Sequence, residues 1–287
     1  MWIYLNDRFV SEKEATVSVF DYGFLYGDGL FETLRAYNGQ IFALDAHLKR
    51  LKKAAARLQL KIPEASQLDK LLHQSLHRNG LKNAMLRLII TRGVNAIPMR
   101  PDLCKKSTVV ITARAFDGFP LAQYKNGVSA AIVQTPRSTA TGSGASLKSL
   151  NFLNNVLGKL EIDPKTQFEA LFLDTAGHLC EGTLSNLFWV DQGVLYTPAP
   201  ETGLLEGITR DIVLQLAKEN GIPMQIGHYS PEALLKSEEA FLTNSGIELL
   251  PLVSVDDKKI RSGQPGPITQ KLHEAFRKQV KRTAGGV

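Results

Sequence analysis

The sequence predicts a mixed α/β (α+β) protein in two domains, on three observations. Strand-like runs of β-branched residues are interspersed with segments of helical period along the whole chain. A stretch punctuated by Gly118 and Pro120, residues 116–123, interrupts them before the midpoint. The 287 residues, 44% of them hydrophobic, suffice for two ordinary cores. The expected division is an N-terminal α/β domain over 1–115, a linker over 116–123, and a C-terminal α/β domain over 124–287. A cleft between two such domains is a common place for a ligand.

The elements follow in order. Ile3 to Phe9 and Gln40 to Leu44 read as strand pieces, the first broken by a turn at Asn6-Asp7. Asp45 suits a helix N-cap, and Leu48, Leu51, Ala55 and Leu58 recur at helical spacing up to Pro63. A second helix covers Ala65 to Arg78 and stops at Asn79-Gly80. Met85 to Thr91 and Ser107 to Ala113 are predicted to pair as strands. After the linker come a strand over Val128 to Gln134 and a Gly/Ser/Thr-rich loop over Ser138 to Ser146. Strands over Ala170 to Asp174 and Asn186 to Val190 follow, then a helix marked by Ile208, Ile212, Val213 and Leu216 that ends at Gly221-Ile222-Pro223. A short helix (Pro231 to Lys236), a strand (Ala240 to Thr243) and a terminal helix (Ile268 to Val280) complete the chain.

Composition removes several function classes. Net charge is +6, but the basic residues are scattered and do not alternate with aromatics, so nucleic acid is not an expected partner. Small anions fit this charge better. No run approaches the ~20 apolar residues of a membrane span. The N-terminus lacks the layout of a secretory signal, and Cys104 and Cys180 have neither metal-binding nor disulfide-framework spacing. A reducing cytoplasm is the expected setting, with no metal.

Two residues stand out chemically. Lys148 follows the small-residue loop and is flanked by apolar Leu147, Leu150, Phe152 and Leu153. Partial burial would depress its pKa and free a lone pair for imine formation. On composition alone it is an exposed loop lysine, and Glu181 a surface turn residue. The Tyr26-Gly27-Asp28-Gly29-Leu30-Phe31-Glu32 run lacks both the GxGxxG layout and a P-loop lysine, so it is not a nucleotide loop.

The surrounding blocks change both assignments. SVFDYGFLYGDGLFETLRAYNG (18–39), LDAHLKRL (44–51), LRLIITRG (86–93), LKSLNFLNNVLGKLE (147–161), EGTLSNLFWV (181–190), GLLEGITRDIV (203–213) and FLTNSGIELLPL (241–252) occur in this order. Together they resemble the fold-type IV pyridoxal-phosphate enzymes of the class IV aminotransferase family. These comprise branched-chain and D-amino acid aminotransferases and 4-amino-4-deoxychorismate lyases. The resemblance implies a D-amino acid aminotransferase-like two-domain fold with pyridoxal 5'-phosphate in the interdomain cleft, and a homodimer. It places the cofactor's Schiff base on Lys148, the acid at the pyridine nitrogen on Glu181, and phosphate contacts on Arg50, Ile208, Thr209 and Ser245. Gly207-Ile208-Thr209 opens a helix, whose free N–H groups suit a dianion. From helical period alone Arg50 is a solvated arginine. The Tyr26–Glu32 segment would be a strand lining the substrate pocket, with Tyr26, Phe31 and Thr33, and Arg87, Arg92 or Arg100 would meet an anionic amino-group substrate. His47 is expected to be structural.

Within that family several positions separate the subgroups. Branched-chain aminotransferases typically carry Gly at the position of Thr33, a Tyr hydroxyl at that of Phe152, and Gly-Thr-Ala where this chain has Asn244-Ser245-Gly246. The Arg and His that D-amino acid aminotransferases use after TRG are missing from Val94 to Met99. The variants FETLR, TNSxxxLLP and YTPAPETGLLEGITR most resemble aminodeoxychorismate lyases, which make 4-aminobenzoate and pyruvate for folate synthesis. The alternative is an amino-acid transaminase acting on D- or branched-chain amino acids. A cofactor carrier without activity is a third class, disfavoured by the presence of Lys148 and Glu181 together.

Overall fold

The computed structural model describes residues 1–137 and 147–283, so the expected loop over Ser138 to Ser146 lies outside the described residues. By packing the chain forms two units, whose described parts are 1–117 with 147–152 and 280–283, and 118–137 with 153–279. The lysine segment Leu147–Phe152, expected with the C-terminal domain, instead packs with the first unit.

The first unit holds a six-stranded sheet in the order β2-β1-β6-β5-β3-β4. Its strands are β1 (Trp2–Leu5), β2 (Arg8–Ser11), β3 (Gly29–Tyr37), β4 (Gln40–Ile41), β5 (Ala84–Thr91) and β6 (Thr108–Ala115), paired antiparallel throughout. Helices α1 (Tyr22–Tyr26), α2 (Leu44–Arg57) and α3 (Ala65–Arg78) accompany it. The period-2 pattern divides the faces. Leu30 and Leu34 of β3, and Leu86, Leu88 and Ile90 of β5, form a core with Leu48 and Leu51 of α2 and Leu68, Leu72 and Leu76 of α3. Phe31, Thr33, Arg87 and Ile89 therefore alternate onto the opposite face.

Four local expectations are corrected. The second strand piece covers only Gln40–Ile41, and α2 is capped by Ala43 in a left-handed conformation (φ 51°) rather than by Asp45, which lies in the first turn. Asp45 still places a negative charge near the helix's positive end. The stretch expected as linker contains part of helix α4 (Leu121–Asn126). Tyr26 ends a one-turn helix rather than opening a strand. That helix stops at Gly27, whose φ of 66° favours glycine, and β3 begins at Gly29.

The second unit is built on a nine-stranded mixed sheet, β12-β11-β10-β13-β14-β7-β8-β9, with β15 paired to β14. These are β7 (Val128–Ile132), β8 (Glu169–Leu173), β9 (Leu179–Gly182), β10 (Asn186–Asp191), β11 (Val194–Pro198), β12 (Met224–Gly227), β13 (Glu239–Asn244), β14 (Glu248–Val255) and β15 (Lys258–Lys259). Its helices are α4, α5 (Leu153–Leu160), α6 (Ile208–Glu219), α7 (Pro231–Leu235) and, up to Gln279, α8 (Pro267–Thr283). Leu171, Leu187, Trp189, Leu242 and Leu250 anchor its main core. Among the described residues no helix is long and apolar enough to cross a membrane.

Candidate active site

Register places the lysine. The Leu147–Phe152 segment runs along the edge of β3, with Phe31 N–H donating to Lys148 O (3.0 Å) and Leu150 N–H to Gly29 O (3.0 Å). Ser149 bridges Leu30 in antiparallel sense, which sets Lys148 opposite Phe31 and on the face away from the helices. Lys148 Nζ lies 4.4 Å from the centre of the Phe31 ring, and the Arg87 guanidinium 4.2 Å from the same ring. Arg87 stands beside Thr33 across the β3–β5 ladder. Phe152 packs edge-on against Phe31 at 5.3 Å. Lys148, Phe31, Thr33 and Arg87 thus form one cluster.

The three arginines expected near the substrate separate. Arg92 is engaged by Asp28, and its Nη2 donates to Leu58 O (2.9 Å) at the end of α2. It fastens a helix terminus. Arg100 is exposed and paired with Asp102 (2.7 Å). Only Arg87 has no carboxylate partner among the described residues, and burial pushes its pKa down. Tyr26 is half-exposed and packs edge-on against Tyr22 at 4.9 Å.

Behind β3, Glu32 is buried and points to α2. Arg50 donates from Nε (2.8 Å) and Nη2 (2.6 Å) to its two oxygens, and His47 Nδ1 lies 2.8 Å from Oε2. Burial alone would raise the Glu32 carboxyl, but the bonds from His47 and Arg50 outweigh it and hold it at about 2. Arg50 is therefore no solvated arginine: its side chain is 17% exposed and forked onto Glu32. His47, buried against that carboxylate, has the structural place expected of it.

In the second unit Glu181 lies on β9 and is 5% exposed, not on a surface turn. Arg137 Nη2 is 2.7 Å from its Oε1. Its Oε2 accepts from Asn186 Nδ2 (3.2 Å) and Leu205 N–H (3.0 Å). Asn186 also donates to Leu205 O (2.8 Å), so one amide ties the acid to the chain entering α6. Helix α6 starts after Gly207, an N-cap residue with no side chain to cap its first N–H groups. Such an end is a ready anion site. Ile208 and buried Thr209 open this helix. Thr243, opposite Asn186 in the sheet, keeps a buried hydroxyl without a protein partner, and Ser245 follows in a turn held by Asn244 Oδ1.

Gly207 allows Asn186 to approach: a Cβ there would fall on the Asn186 Oδ1. Gly207→Ala is expected to move Asn186 off Glu181 and destabilise the protein by about 1.5–3 kcal/mol, the scale of a lost bond to a charged group. Urea unfolding of both proteins checks this; unchanged stability would show that the close approach is unimportant.

Sequence reasoning did not single out Arg137, Asn186 or Glu169. Glu169, at the start of β8, accepts from Thr183 Oγ1 (2.5 Å), Ser185 Oγ (2.8 Å) and Lys159 Nζ (2.9 Å), and so braces the turn between Glu181 and Asn186. Asn186 and Ser185 lie inside a block already notable, SNLFW. Arg137 and Glu169 carried no local signal.

The sequence model of the family described as amino-transferase class IV matches residues 29–255. The chain belongs to the class IV aminotransferase family. This class IV chain is 40% identical, over 96% of both chains, to a Methanocaldococcus jannaschii protein named as a candidate branched-chain-amino-acid aminotransferase. It is 37% identical to the aminodeoxychorismate lyase of Bacillus subtilis, over 97% of this chain and 94% of that one. Among solved structures, the Escherichia coli branched-chain amino acid aminotransferase superposes with a TM-score of 0.92 at 28% identity, covering 96% of this chain and 93% of that one. Pyridoxal 5'-phosphate is the cofactor of class IV enzymes, as the resemblance implied, and the mixed α/β architecture is theirs too.

Proposed function

We propose that this class IV enzyme acts on a small dicarboxylate amino substrate, and that its principal reaction is the 4-amino-4-deoxychorismate lyase reaction, giving 4-aminobenzoate and pyruvate. The observation that carries the substrate class is Arg87. The exposed Arg87, without a carboxylate partner among the described residues, has its guanidinium over the same Phe31 ring that the lysine amine approaches. An anionic group on the substrate is the natural complement of that arrangement.

The residues fit the cofactor. A helix end with glycine as its N-cap, an orphaned hydroxyl at Thr243 and an acid already held by a cation supply donors for a phosphate and a negative charge for a pyridinium. In this reading Ile208, Thr209, Ser245 and Arg50 hold the phosphate, Glu181 faces the ring nitrogen, and Lys148 binds the aldehyde carbon. Bound pyridoxal phosphate supplies an electron sink for negative charge at the substrate's α-carbon. With the cofactor bound, Lys148 Nζ would take the substrate's α-proton. Arg87 holds the distal carboxylate. Thr33, beside Arg87, and Phe152, which lacks a phenolic hydroxyl, favour the lyase within the family.

Transamination is the second reading, supported by the identity to the Methanocaldococcus jannaschii protein and by the superposition on the Escherichia coli enzyme. Purified holoenzyme with aminodeoxychorismate should release pyruvate without an amino acceptor. Steady 2-oxoglutarate-dependent turnover without that release would replace the lyase reading. Arg87→Ala should lower kcat/KM on a dicarboxylate substrate about 10- to 100-fold and spare a monocarboxylate amino donor. Equal losses on both would remove Arg87 as the selector.

A further inference from the structure

Arg137 is buried 44 positions before Glu181 in sequence, yet it meets that carboxylate at 2.7 Å. Its Nη1 donates to Asn155 Oδ1 (3.3 Å) and its Nε to Gly203 O (3.4 Å). The guanidinium carbon lies 5.7 Å from the centre of the Phe172 ring. This is a fixed, desolvated cation on one oxygen of Glu181, while two neutral donors hold the other. Among the described residues, titratable groups around Glu181 include Arg210 on α6, bonded to Pro198 O and near Asp211 and Glu206, and Cys180, whose thiol is pushed up by burial.

The consequence rests on the reading above, in which a pyridine nitrogen docks against Glu181. A carboxylate and a pyridine sharing one proton in a buried place can exist as an ion pair or as a neutral pair. Low polarity favours the neutral pair, with the proton on the acid and the ring's electron demand lost. Protonating Glu181 here would also remove the negative charge that Arg137 meets at 2.7 Å, which is unfavourable in a buried place. The balance is thereby reversed.

We propose that Arg137 is a positioning residue that keeps Glu181 anionic and so keeps the shared proton on the cofactor's ring nitrogen. Asn186 and the Leu205 N–H aim the carboxylate; Arg137 decides where the proton rests.

The test has an apoprotein arm and a holoenzyme arm. In apoprotein carrying 13C-labelled glutamate, Arg137→Gln should raise the proton affinity of Glu181 at least about 10-fold, one unit in its 13Cδ titration. Arg137→Lys should restore the wild-type curve. In holoenzyme with 15N-labelled ring nitrogen, the wild type should give a protonated signal from pH 6 to about 9, Arg137→Gln a signal moved toward neutral pyridine, and Arg137→Lys the wild-type signal. Arg137→Met repeats the comparison should the glutamine variant not fold. An unchanged Glu181 titration, or a ring nitrogen still fully protonated in Arg137→Gln, overturns the proposal. A wild-type ring-nitrogen signal that ignores Glu181→Gln would instead overturn the docking of that nitrogen on Glu181, while the apoprotein result stands.

Discussion

Lys148→Ala is expected to yield a folded protein that takes no covalent label from pyridoxal 5'-phosphate and borohydride, and whose turnover falls by more than about 10³-fold. The scale follows from the two tasks the proposal gives this amine, nucleophile and proton carrier, since general acid–base catalysis alone contributes typically 10²–10⁴-fold. Folding should survive because the structural part of this residue is its backbone. Its carbonyl accepts from Phe31 N–H and the bridge belongs to Ser149, whereas the side chain reaches over the Phe31 ring. Such a cation–π contact is worth about 0.5–1 kcal/mol at an accessible site. Mass spectrometry of the reduced protein locates the label. Label on another lysine, or full activity in Lys148→Ala, would remove this residue from the chemistry. Unchanged melting alongside lost labelling separates a chemical role from a structural one.

The way Lys148 reaches the Phe31 face also shows what a sequence of this kind discloses. The helix over Ala65–Arg78 was legible to the residue, because its apolar spacing and the Asn79-Gly80 stop both act locally. The start of α2 was not, since Ala43 adopts a left-handed conformation that nothing in alanine's chemistry announces. Strand β9 escaped notice because it is four residues long and carries Glu181, a residue type rarely buried without a partner. The partner is Arg137, remote in sequence and placed by the fold. Arg50 makes the same point. Helical period sets it away from the Leu48/Leu51 stripe, yet a long side chain reaches the sheet because β3 presents Glu32 there. The family was legible from motif order, and the ion pair on Glu181 was not, because charge pairs across a core leave no periodic trace.

Glu32 should make that support measurable as a dependence on pH. Its carboxyl is held at about 2, below the ordinary 4.5, so the native state binds its proton more weakly than the unfolded chain does. For a depressed acid the stabilisation is fully present above the unfolded value and is lost as pH falls through the folded one. The window is therefore from about 4.5 down to about 2, and the depression corresponds to about 3 kcal/mol. Glu32→Gln keeps the shape and removes the charge. At neutral pH it should be less stable than the wild type by roughly that amount, because Arg50 and His47 lose their shared acceptor charge and removing one member of a buried pair leaves the other uncompensated. The gap should close as the wild type approaches pH 2, where its own Glu32 is protonated. Urea unfolding of both apoproteins across that range measures the difference directly, and the difference cancels carboxylates common to the two. A gap that stays constant with pH would mean that Glu32 contributes packing rather than charge. A gap that closes would also bear on Arg50: two of its donors are committed to Glu32, so the same substitution should loosen the guanidinium and weaken phosphate binding by the apoprotein, read as displacement of a bound fluorescent anion.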